Sequence, residues 1–418
     1  MSEPTEAEIR EEVRAWIADN WDPDRGLVEW RNMLVDSGWG VPSWPKQWYG
    51  RELNEVLSAA VEREFKRAGA IGVARTGVRM LVAATLLEHG TDLHKEKFLR
   101  RILTGEDVWC QLFSEPGSGS DMAAATTRAD LKDGKWIVNG QKLWTTSAQH
   151  AQYGILLART NWDVPKHQGL SFFVIDIEQP GVTVQPLKQM NGHASFNQVF
   201  FTDAVIEPEF IVEKPGEGWR VATTTLMHER RGATGLGSWG QGSTGEGRAY
   251  DEERAEVATV MEPYKWYPQR AGRANWVIER ARETGKNSDP AVRQEIAKVM
   301  TLYNSAQWLS NRARAAARMG RKQGPEGSLG KLIGSHVARA AAHAHTAITG
   351  ADAMLSGPDS PRNGLVAEIL VSVPATSIAG GTDEIQRNII AERVLGMPRE
   401  ANNDTDRPFK DVPRNIVS

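Results

Sequence analysis

The hydrophobic pattern changes its period twice along this 418-residue chain. Between residues 106 and 213, segments such as KWIVNGQKLW, LSFFVIDI and NQVFFTDAVI alternate or run apolar between glycine-containing breaks. That pattern is typical of β-strands, whereas both flanks place apolar residues at helical spacing. The sequence therefore predicts an α+β multidomain chain with an N-terminal helical domain, a middle β-barrel-like domain and a C-terminal helical bundle. We expect these domains at 1–105, 106–215 and 216–397, followed by a tail at 398–418.

Two helix starts can be predicted residue by residue. Thr5 precedes EAEIREEVRAWIADN, whose apolar residues recur at helical spacing, and threonine is a preferred N-cap residue. Asp289 and Pro290 have the residue types of a cap and a first helical position, and they predict a helix over 290–320. A further helix is expected at about 253–284.

Two segments predict irregular structure. Residues 238–252, SWGQGSTGEGRAYDE, are rich in glycine and predict a flexible loop. The segment after Met397 is rich in Asn, Asp, Arg and Pro, and we expect it to lie over the surface or to be mobile.

Composition excludes several classes of function. The formal net charge of −3 does not indicate a general nucleic-acid-binding protein. The single cysteine, Cys110, excludes an internal disulfide framework and fits a reducing cytoplasm. The first residues show neither an export nor a transit pattern, and no apolar run looks long enough to span a membrane. Three histidines in one predicted helix lack zinc-site spacing, so we expect no metal; they are His336, His343 and His345.

The stretch from Ser114 to Asp121, here called the serine loop, is the first candidate site. Its glycines allow unusual backbone conformations, and hydroxyls at Ser114, Ser118 and Ser120 can line an anion pocket. A predicted strand ending in Trp-Thr-Thr at 144–146 follows a short distance along the chain. Together they suit a flat polar ring with a phosphate tail, although a Gly/Ser-rich turn alone is more often only a turn.

The ordered combination is more specific. CQLFSEPGSGSD followed by NGQKLWTTS resembles the acyl-CoA dehydrogenase signature C-Q-x-F-S/T-E-P-x-x-G-S-D and N-G-x-K-x-W-I/T-T/S. The resemblance covers about residues 5–397, in the same helical, β, helical order. It implies FAD as cofactor and the α,β-dehydrogenation of an acyl-CoA thioester, with hydride transfer to flavin N5.

The resemblance also implies which residues contact the cofactor and the substrate. The implied flavin contacts are Gln111, Phe113, Ser114, Gly119, Ser120, Trp144, Thr145, Thr146, Gly350, Thr382 and Glu384. The implied substrate contacts are Ser120, Ser195, Arg230 and Gly380.

The α-proton base is expected at Glu229. One branch of the family places a glutamate before the Gly-Thr of Y-E-G-T-x-x-I-Q-R, but the matching residue here is Gly380. A second branch, which includes isovaleryl-type enzymes, carries the base in a motif like L-D-x-E-R, and this chain has LMHER at 226–230. Helical spacing places Glu229 on a face with Ala222 and Thr225, where we expect the carboxylate to lose hydration. The alternative is a surface glutamate paired with a neighbouring arginine.

One family feature is missing. Many members carry R-x-Q-F-G at a helix end, and the comparable region here reads ARETGKNSDPAVRQ. This resembles a subgroup that acts on bulky acyl-CoAs, including steroid side chains, some of which are mixed tetramers. The resemblance thus implies a homotetramer or a mixed tetramer, with an electron-transfer flavoprotein as acceptor. An acyl-CoA oxidase or flavin monooxygenase, or a flavin-poor partner subunit, remain alternatives.

Overall fold

The structure is a computed structural model, and it describes residues 4–233, 243–319, 321, 324–399, 401 and 404–413. Side chains at 230–233, 317 and 318 lie outside this description. The chain divides into two compact units. The first comprises Met1–Leu187, Ala194–Pro263 and Asn403–Ser418, and the second comprises Lys188–His193 and Tyr264–Asn402.

The first unit begins with five helices whose ends follow local capping rules. Thr5 and Glu8 form a capping box, so the predicted N-cap is confirmed. Asn54 caps the third helix by accepting a hydrogen bond from the Leu57 N–H at 3.0 Å. The helices are α1 Glu6–Asn20, α2 Leu27–Ser37, α3 Glu55–Ala68, α4 Arg79–His89 and α5 Asp92–Thr104.

An eight-stranded sheet follows in the described chain, in the order β6-β7-β3-β2-β4-β5-β8, with β1 parallel to β4. Its strands are β1 Trp109–Leu112, β2 Arg128–Lys132, β3 Lys135–Thr146, β4 Tyr153–Arg159, β5 Leu170–Asp176, β6 Val182–Leu187, β7 Phe196–Ile206 and β8 Ile211–Val212. Successive residues of β5 enter different cores: Phe172 packs with helical residues such as Leu86 and Val221, whereas Phe173 packs with residues of the sheet. Because both faces are covered, the middle residues of β4 and β5 are apolar.

Two further helices belong to this unit: α6 Gly218–Ala233 and α7 Arg248–Met261. Residues 248–252 are therefore helical, which corrects the loop expected over 238–252; residues 238–242 lie outside the described residues. The start of α7 is held by an i,i+4 pair of Arg248 and Glu252, and Glu252 also accepts the Leu27 N–H at 2.7 Å.

The second unit is helical. Its helices are α8 Tyr267–Arg270, α9 Val277–Glu283, α10 Pro290–Arg318, α11 Gly327–Thr349, α12 Leu365–Ser372, α13 Pro374–Ile378 and α14 Asp383–Ile389. The single helix expected over 253–284 is wrong, because the backbone is interrupted near Pro263, Pro268 and Gly272, the last at φ +78°. The predicted cap of α10 is confirmed, since Asp289 accepts the Ala291 N–H at 2.9 Å.

One described stretch, Pro361–Val394, is long and apolar enough by composition to cross a membrane. This differs from the expectation that no apolar run reaches that length. The stretch is divided into α12, α13 and α14, and the backbone leaves helical geometry at Gly380 and Gly381, with φ of +69° and +84°. A membrane-spanning helix satisfies its backbone polar groups within the helix, so composition alone is weak support here.

The described part of the tail, residues 404–413, packs against the β domain. Phe409 is fully buried, and its N–H donates to the Val164 carbonyl at 2.9 Å. Of the two alternatives expected for the tail, this segment follows the first, because it lies against the β domain, although Phe409 itself is buried. Burial of the apolar Phe409 ring is favourable even though the neighbouring residues along the chain are polar.

A buried carboxylate joins the first and third helices. The Glu64 side chain lies between Arg14 at 2.6 Å, Arg10 at 2.7 Å and Arg67 at 3.0 Å. The hydrogen bonds from Arg14 lower the pKa of Glu64 from 4.5 to about 2, against the opposing effect of its burial.

The pKa shift predicts a pH-dependent contribution of Glu64 to stability. Because the folded-state pKa is depressed, the contribution is present above pH 4.5 and is lost as the pH falls towards about 2. Glu64→Gln should lower the free energy of unfolding by about 2 kcal/mol at neutral pH, measured by urea denaturation. The deficit should shrink in acid. The control Glu62→Gln alters an exposed pair with Arg75 and should change stability by less than about 0.5 kcal/mol; a pH-independent deficit would contradict the assignment.

Candidate functional site

The serine loop is a closed turn. The Glu115 N–H donates to the Ser118 carbonyl at 2.8 Å, and the Ser118 N–H returns the bond at 3.1 Å. The Ser118 hydroxyl is buried and donates to the Asp121 carbonyl at 2.8 Å, so its expected place in an anion pocket is wrong. Ser114 is half-buried and Ser120 is exposed, which leaves their hydroxyls as the candidates for ligand contact.

A buried ion pair fixes this loop to the next strand. The Lys142 ammonium, fully buried on β3, donates to the Phe113 carbonyl at 3.0 Å and to Glu115 Oε1 at 2.8 Å. Glu115 also accepts the N–H groups of Thr126 and Thr127, at 2.7 and 2.9 Å. The bonds from Lys142 hold the beginning of the loop, and those from the two threonines hold the chain just beyond it.

Burial alone would raise the pKa of Glu115, but the charge of Lys142 and the hydrogen bonds from Lys142, Thr126 and Thr127 lower it to about 2. Burial also lowers the pKa of Lys142, and the charge of Glu115 opposes that effect. The geometry is that of a charged pair, because both oxygens of Glu115 act as acceptors: Oε1 accepts from Lys142 and the Thr127 N–H, and Oε2 accepts from the N–H and the hydroxyl of Thr126.

Strand β3 is distorted where it passes the loop. Its register with β7 shifts between Lys142 and Thr145, and Trp144 has a φ of +61°. Positive φ is a strained conformation for a bulky residue, and bulges of this kind re-aim side chains next to functional sites. As a result the Trp144 ring is 53% exposed, with its edge against Phe196.

The other predicted flavin contacts of the first unit differ in exposure. Gln111 and Thr146 are half-buried. Phe113 is buried edge-on against Phe172. Thr145 is also buried, and its hydroxyl has no hydrogen-bond partner among the described residues.

Helix α6 carries the predicted base. Thr85 of α4 donates to the buried Thr225 hydroxyl at 3.1 Å, and Ala222 and Leu226 pack into the same core. Glu229 continues this face, but its side chain is exposed, which differs from the dehydrated setting expected from the sequence. The buried positions of this face that the structure describes, Ala222 and Thr225, lie about two turns and one turn before Glu229.

Two predicted substrate contacts, Ser195 and Arg230, belong to the first unit. Ser195 is buried at the start of β7, so in this structure it does not present a surface hydroxyl. The side chain of Arg230 lies outside the described residues.

In the second unit, a buried arginine that sequence reasoning missed lies beside the predicted contact Gly350. Arg280 donates from Nη2 to Thr349 Oγ1 at 2.7 Å, while its Nε and Nη1 have no hydrogen-bond partner among the described residues. Burial lowers the pKa of its guanidinium. Gly350 has a φ of +69°, and nothing lies within 4 Å of the place a Cβ would take. A usable sequence signal existed, because helical spacing places Arg280 on the buried face of Val277 and Ala281.

The remaining predicted contacts surround a glycine turn. Gly380 and Gly381 both adopt left-handed conformations, and Gln386 donates to their carbonyls at 3.3 and 3.2 Å. Thr382 uses its hydroxyl to cap α14 by accepting the Ile385 N–H at 3.3 Å. Glu384 is exposed and lies 3.2 Å from Arg387.

The class of protein follows from the domain comparisons. The N-terminal, middle and C-terminal domain models of the acyl-CoA dehydrogenases match residues 2–106, 110–204 and 269–395. The chain belongs to the acyl-CoA dehydrogenase family and is an enzyme of that family.

Individual relatives agree with this assignment. "Acyl-CoA dehydrogenase IpdE1" of Mycobacterium tuberculosis is 32% identical, over 94% of this chain and 98% of the relative. "Acyl-CoA dehydrogenase FadE34" of the same organism is 33% identical, over 88% of this chain and 46% of the relative. A solved structure named "Tcur3481-Tcur3483 steroid ACAD" has a TM-score of 0.64 at 25% identity, covering 96% of this chain and 99% of its own.

The family implies a flavin, and the residues present fit one. In the first unit the serine loop has open space beside Gly117 and Gly119, where no atom lies within 4 Å of a built Cβ. In the second unit Arg280 keeps two donor groups without a described partner. Within the described residues no group of three His, Cys, Asp or Glu side chains could hold a metal ion.

The buried ion pair of Lys142 and Glu115 should contribute strongly to the stability of the protein. Lys142→Met strands a buried carboxylate and should lower the free energy of unfolding by about 3–5 kcal/mol, measured by denaturant titration. Adding Glu115→Gln removes the stranded charge and should recover part of the loss. Lys135→Met is the matched control, because Lys135 forms an exposed pair with Glu207 at 2.7 Å and should contribute at most about 1 kcal/mol. Equal costs for the two lysines would contradict the role given to Lys142.

Proposed function

We propose that the chain is an FAD-dependent dehydrogenase that converts an acyl-CoA thioester to the trans-2-enoyl-CoA. The observation that carries the proposal is the serine loop joined by Lys142 and Glu115 to a strand that exposes Trp144. FAD supplies the acceptor for the β-hydrogen, which leaves the substrate as a hydride. The protein supplies the binding surface, the orientation and the base.

Several residues would hold the two ligands. In the first unit Ser114, Ser120, Trp144 and Thr146 would contact the flavin, with Gln111, Phe113, Gly119 and Thr145 shaping the loop and strand beneath them. In the second unit Gly350, Thr382 and Glu384 would contact the nucleotide. Ser120, Ser195, Arg230 and Gly380 would contact the thioester or its CoA.

Glu229 would remove the α-proton. Its exposure makes the carboxylate accessible to an incoming substrate, and an apolar acyl chain lying against it would exclude water. Loss of hydration disfavours the charged carboxylate and so strengthens the base when the substrate is in place. Gly380, at the position of the base in the other branch, carries no acid.

The relatives support a bulky substrate and an assembly. The name of one similar structure, "Tcur3481-Tcur3483 steroid ACAD", contains the word steroid and two protein names. We therefore propose a bulky, steroid-type acyl-CoA as substrate and a homotetramer or mixed tetramer as the active form. The electron acceptor would be an electron-transfer flavoprotein and the location cytoplasmic, where the lone Cys110 thiol would stay reduced.

FAD should co-purify with the chain, because the loop and the strand that would hold the flavin are both intact. The measurement is visible flavin absorbance of the purified protein, with mass determined by light scattering. We expect a yellow tetramer, either from this chain alone or after co-expression with a partner chain. A colourless protein that takes up no FAD in either form would contradict the proposal and favour the flavin-poor partner subunit.

Glu229→Gln should slow flavin reduction by at least about a hundredfold, because a positioned base contributes about 10²–10⁴-fold. The measurement is anaerobic single-turnover reduction by short-chain and steroid-type acyl-CoAs. FAD content should stay unchanged, since glutamine keeps the shape of the side chain.

The matched control is Glu217→Gln, a half-buried acid that directly precedes the same helix and pairs with Arg220. It should leave the reduction rate within about twofold, as surface substitutions away from a site have small effects. An unchanged rate in Glu229→Gln would show that the base lies elsewhere.

A further inference from the structure

The C-terminal segment 404–413 docks on the β domain by specific bonds. Besides the bond from Phe409 to Val164, the Lys410 N–H donates to the Trp162 carbonyl at 3.0 Å. The Phe409 ring also lies 5.5 Å from the Trp162 ring, measured between centroids. The segment is therefore held through both backbone and side chain, and the residue at its centre is fully buried.

Beneath the Phe409 ring lies a buried guanidinium. Arg159, at the end of β4, is fully buried, and its Cζ is 3.5 Å from the centroid of the ring. At that distance the cation stacks on the aromatic face, an attraction that is largest where water is absent. The ring thus covers one face of the cation.

The same guanidinium holds the chain that leaves the serine loop. Arg159 donates to the carbonyls of Ala123 at 2.6 Å and Ala125 at 2.9 Å. It also donates to the Lys166 carbonyl at 3.1 Å, and the Lys166 ammonium reaches Asp121 at 2.6 Å. The direct bonds from Arg159 and the contact through Lys166 both reach residues 121–125, which directly follow Ser120.

We propose that the C-terminal segment is a positioning element for the flavin site, with Phe409 acting on the serine loop through Arg159. The effect on flavin rests on the proposed function, whereas the effect on the loop does not. Without the ring, water reaches Arg159 and competes for the donors that hold Ala123 and Ala125. The exit of the serine loop then becomes mobile, and the flavin contacts at Ser114 and Ser120 lose their fixed geometry.

The effect should be local. A terminal segment can be released without unfolding the elements beneath it, because local opening requires only the contacts of that segment to break. In that case β4 keeps its pairing with β1, β2 and β5, since none of those strands is formed by the tail.

The test compares three variants of the full chain: Phe409→Ala, Phe409→Leu and Lys410→Ala. Phe409→Leu keeps an apolar side chain but removes the aromatic face. Lys410 lies in the same segment as Phe409 and forms an exposed ion pair with Asp163 of the β domain. Lys410→Ala removes this ion pair and serves as the control. The first measurement is hydrogen exchange by mass spectrometry on the FAD-free chain, and the second is the Kd for FAD of the chain, with its partner chain where one is required.

In Phe409→Ala, peptides covering 114–127 should exchange at least about fivefold faster, while those of β5 and β7 stay unchanged. Phe409→Leu should show the same pattern to a smaller degree, and it carries the comparison if the alanine variant does not fold. Binding of FAD should weaken by about tenfold or more in Phe409→Ala. Lys410→Ala should match the unaltered chain in both measurements.

Unchanged exchange at 114–127 in both Phe409 variants would overturn the inference, and so would a uniform rise across the chain. Faster local exchange with an unaltered FAD Kd would also overturn it, because the loop would then move without affecting the flavin. If the unaltered chain binds no FAD at all, the proposed function fails, and the exchange pattern alone decides whether Phe409 positions the loop.

Discussion

The contact between Lys142 and Glu115 is the constraint on which the rest of the site depends. A fully buried ammonium is costly unless it is paired with an opposite charge and hydrogen-bonded, and here its acceptors are the Glu115 carboxylate and the Phe113 carbonyl. These acceptors belong to the chain entering the serine loop, whereas the lysine belongs to β3. Satisfying one buried charge therefore fixes the distance between the loop and the strand, which is the distance that a ligand lying across both would need.

The same constraint explains how β3 tolerates its distortion. A tryptophan at positive φ is unfavourable by itself, on the order of 1–3 kcal/mol. On one side of Trp144 the lysine is locked by the ion pair, and the Leu143 N–H donates to the Ser114 carbonyl at 2.8 Å. On the other side the Thr145 carbonyl accepts from Asn197 at 3.0 Å. The surrounding bonds impose the bulge, and the bulge exposes an indole ring that an ideal strand would place otherwise.

Local features were predictable from the sequence, and features that depend on distant partners were not. The caps at Thr5 and Asp289 need only a side chain and the next turn, so their residue types sufficed. The inward turn of Ser118 depends on the Asp121 carbonyl, and the burial of Phe409 depends on Arg159, 250 positions earlier in the chain. The membership of the family and the order of the domains were predictable because motif and period agree. The orientation of Trp144 was not, since no glycine marks the bulge.

The proposed role of Glu229 as the base is compatible with its exposure in a single chain. A base that is fully buried before substrate arrives would bear the cost of desolvation in the free enzyme, and its charged form would be suppressed. The Glu229 side chain is exposed and follows a packed face formed by Ala222, Thr225 and Leu226. On the proposed function, an apolar acyl group would cover this carboxylate, and burial of the acyl chain would supply the free energy that removes water from it. The strength of the proposed base would then increase with the apolar area that the substrate places over it, so bulky acyl groups would be favoured.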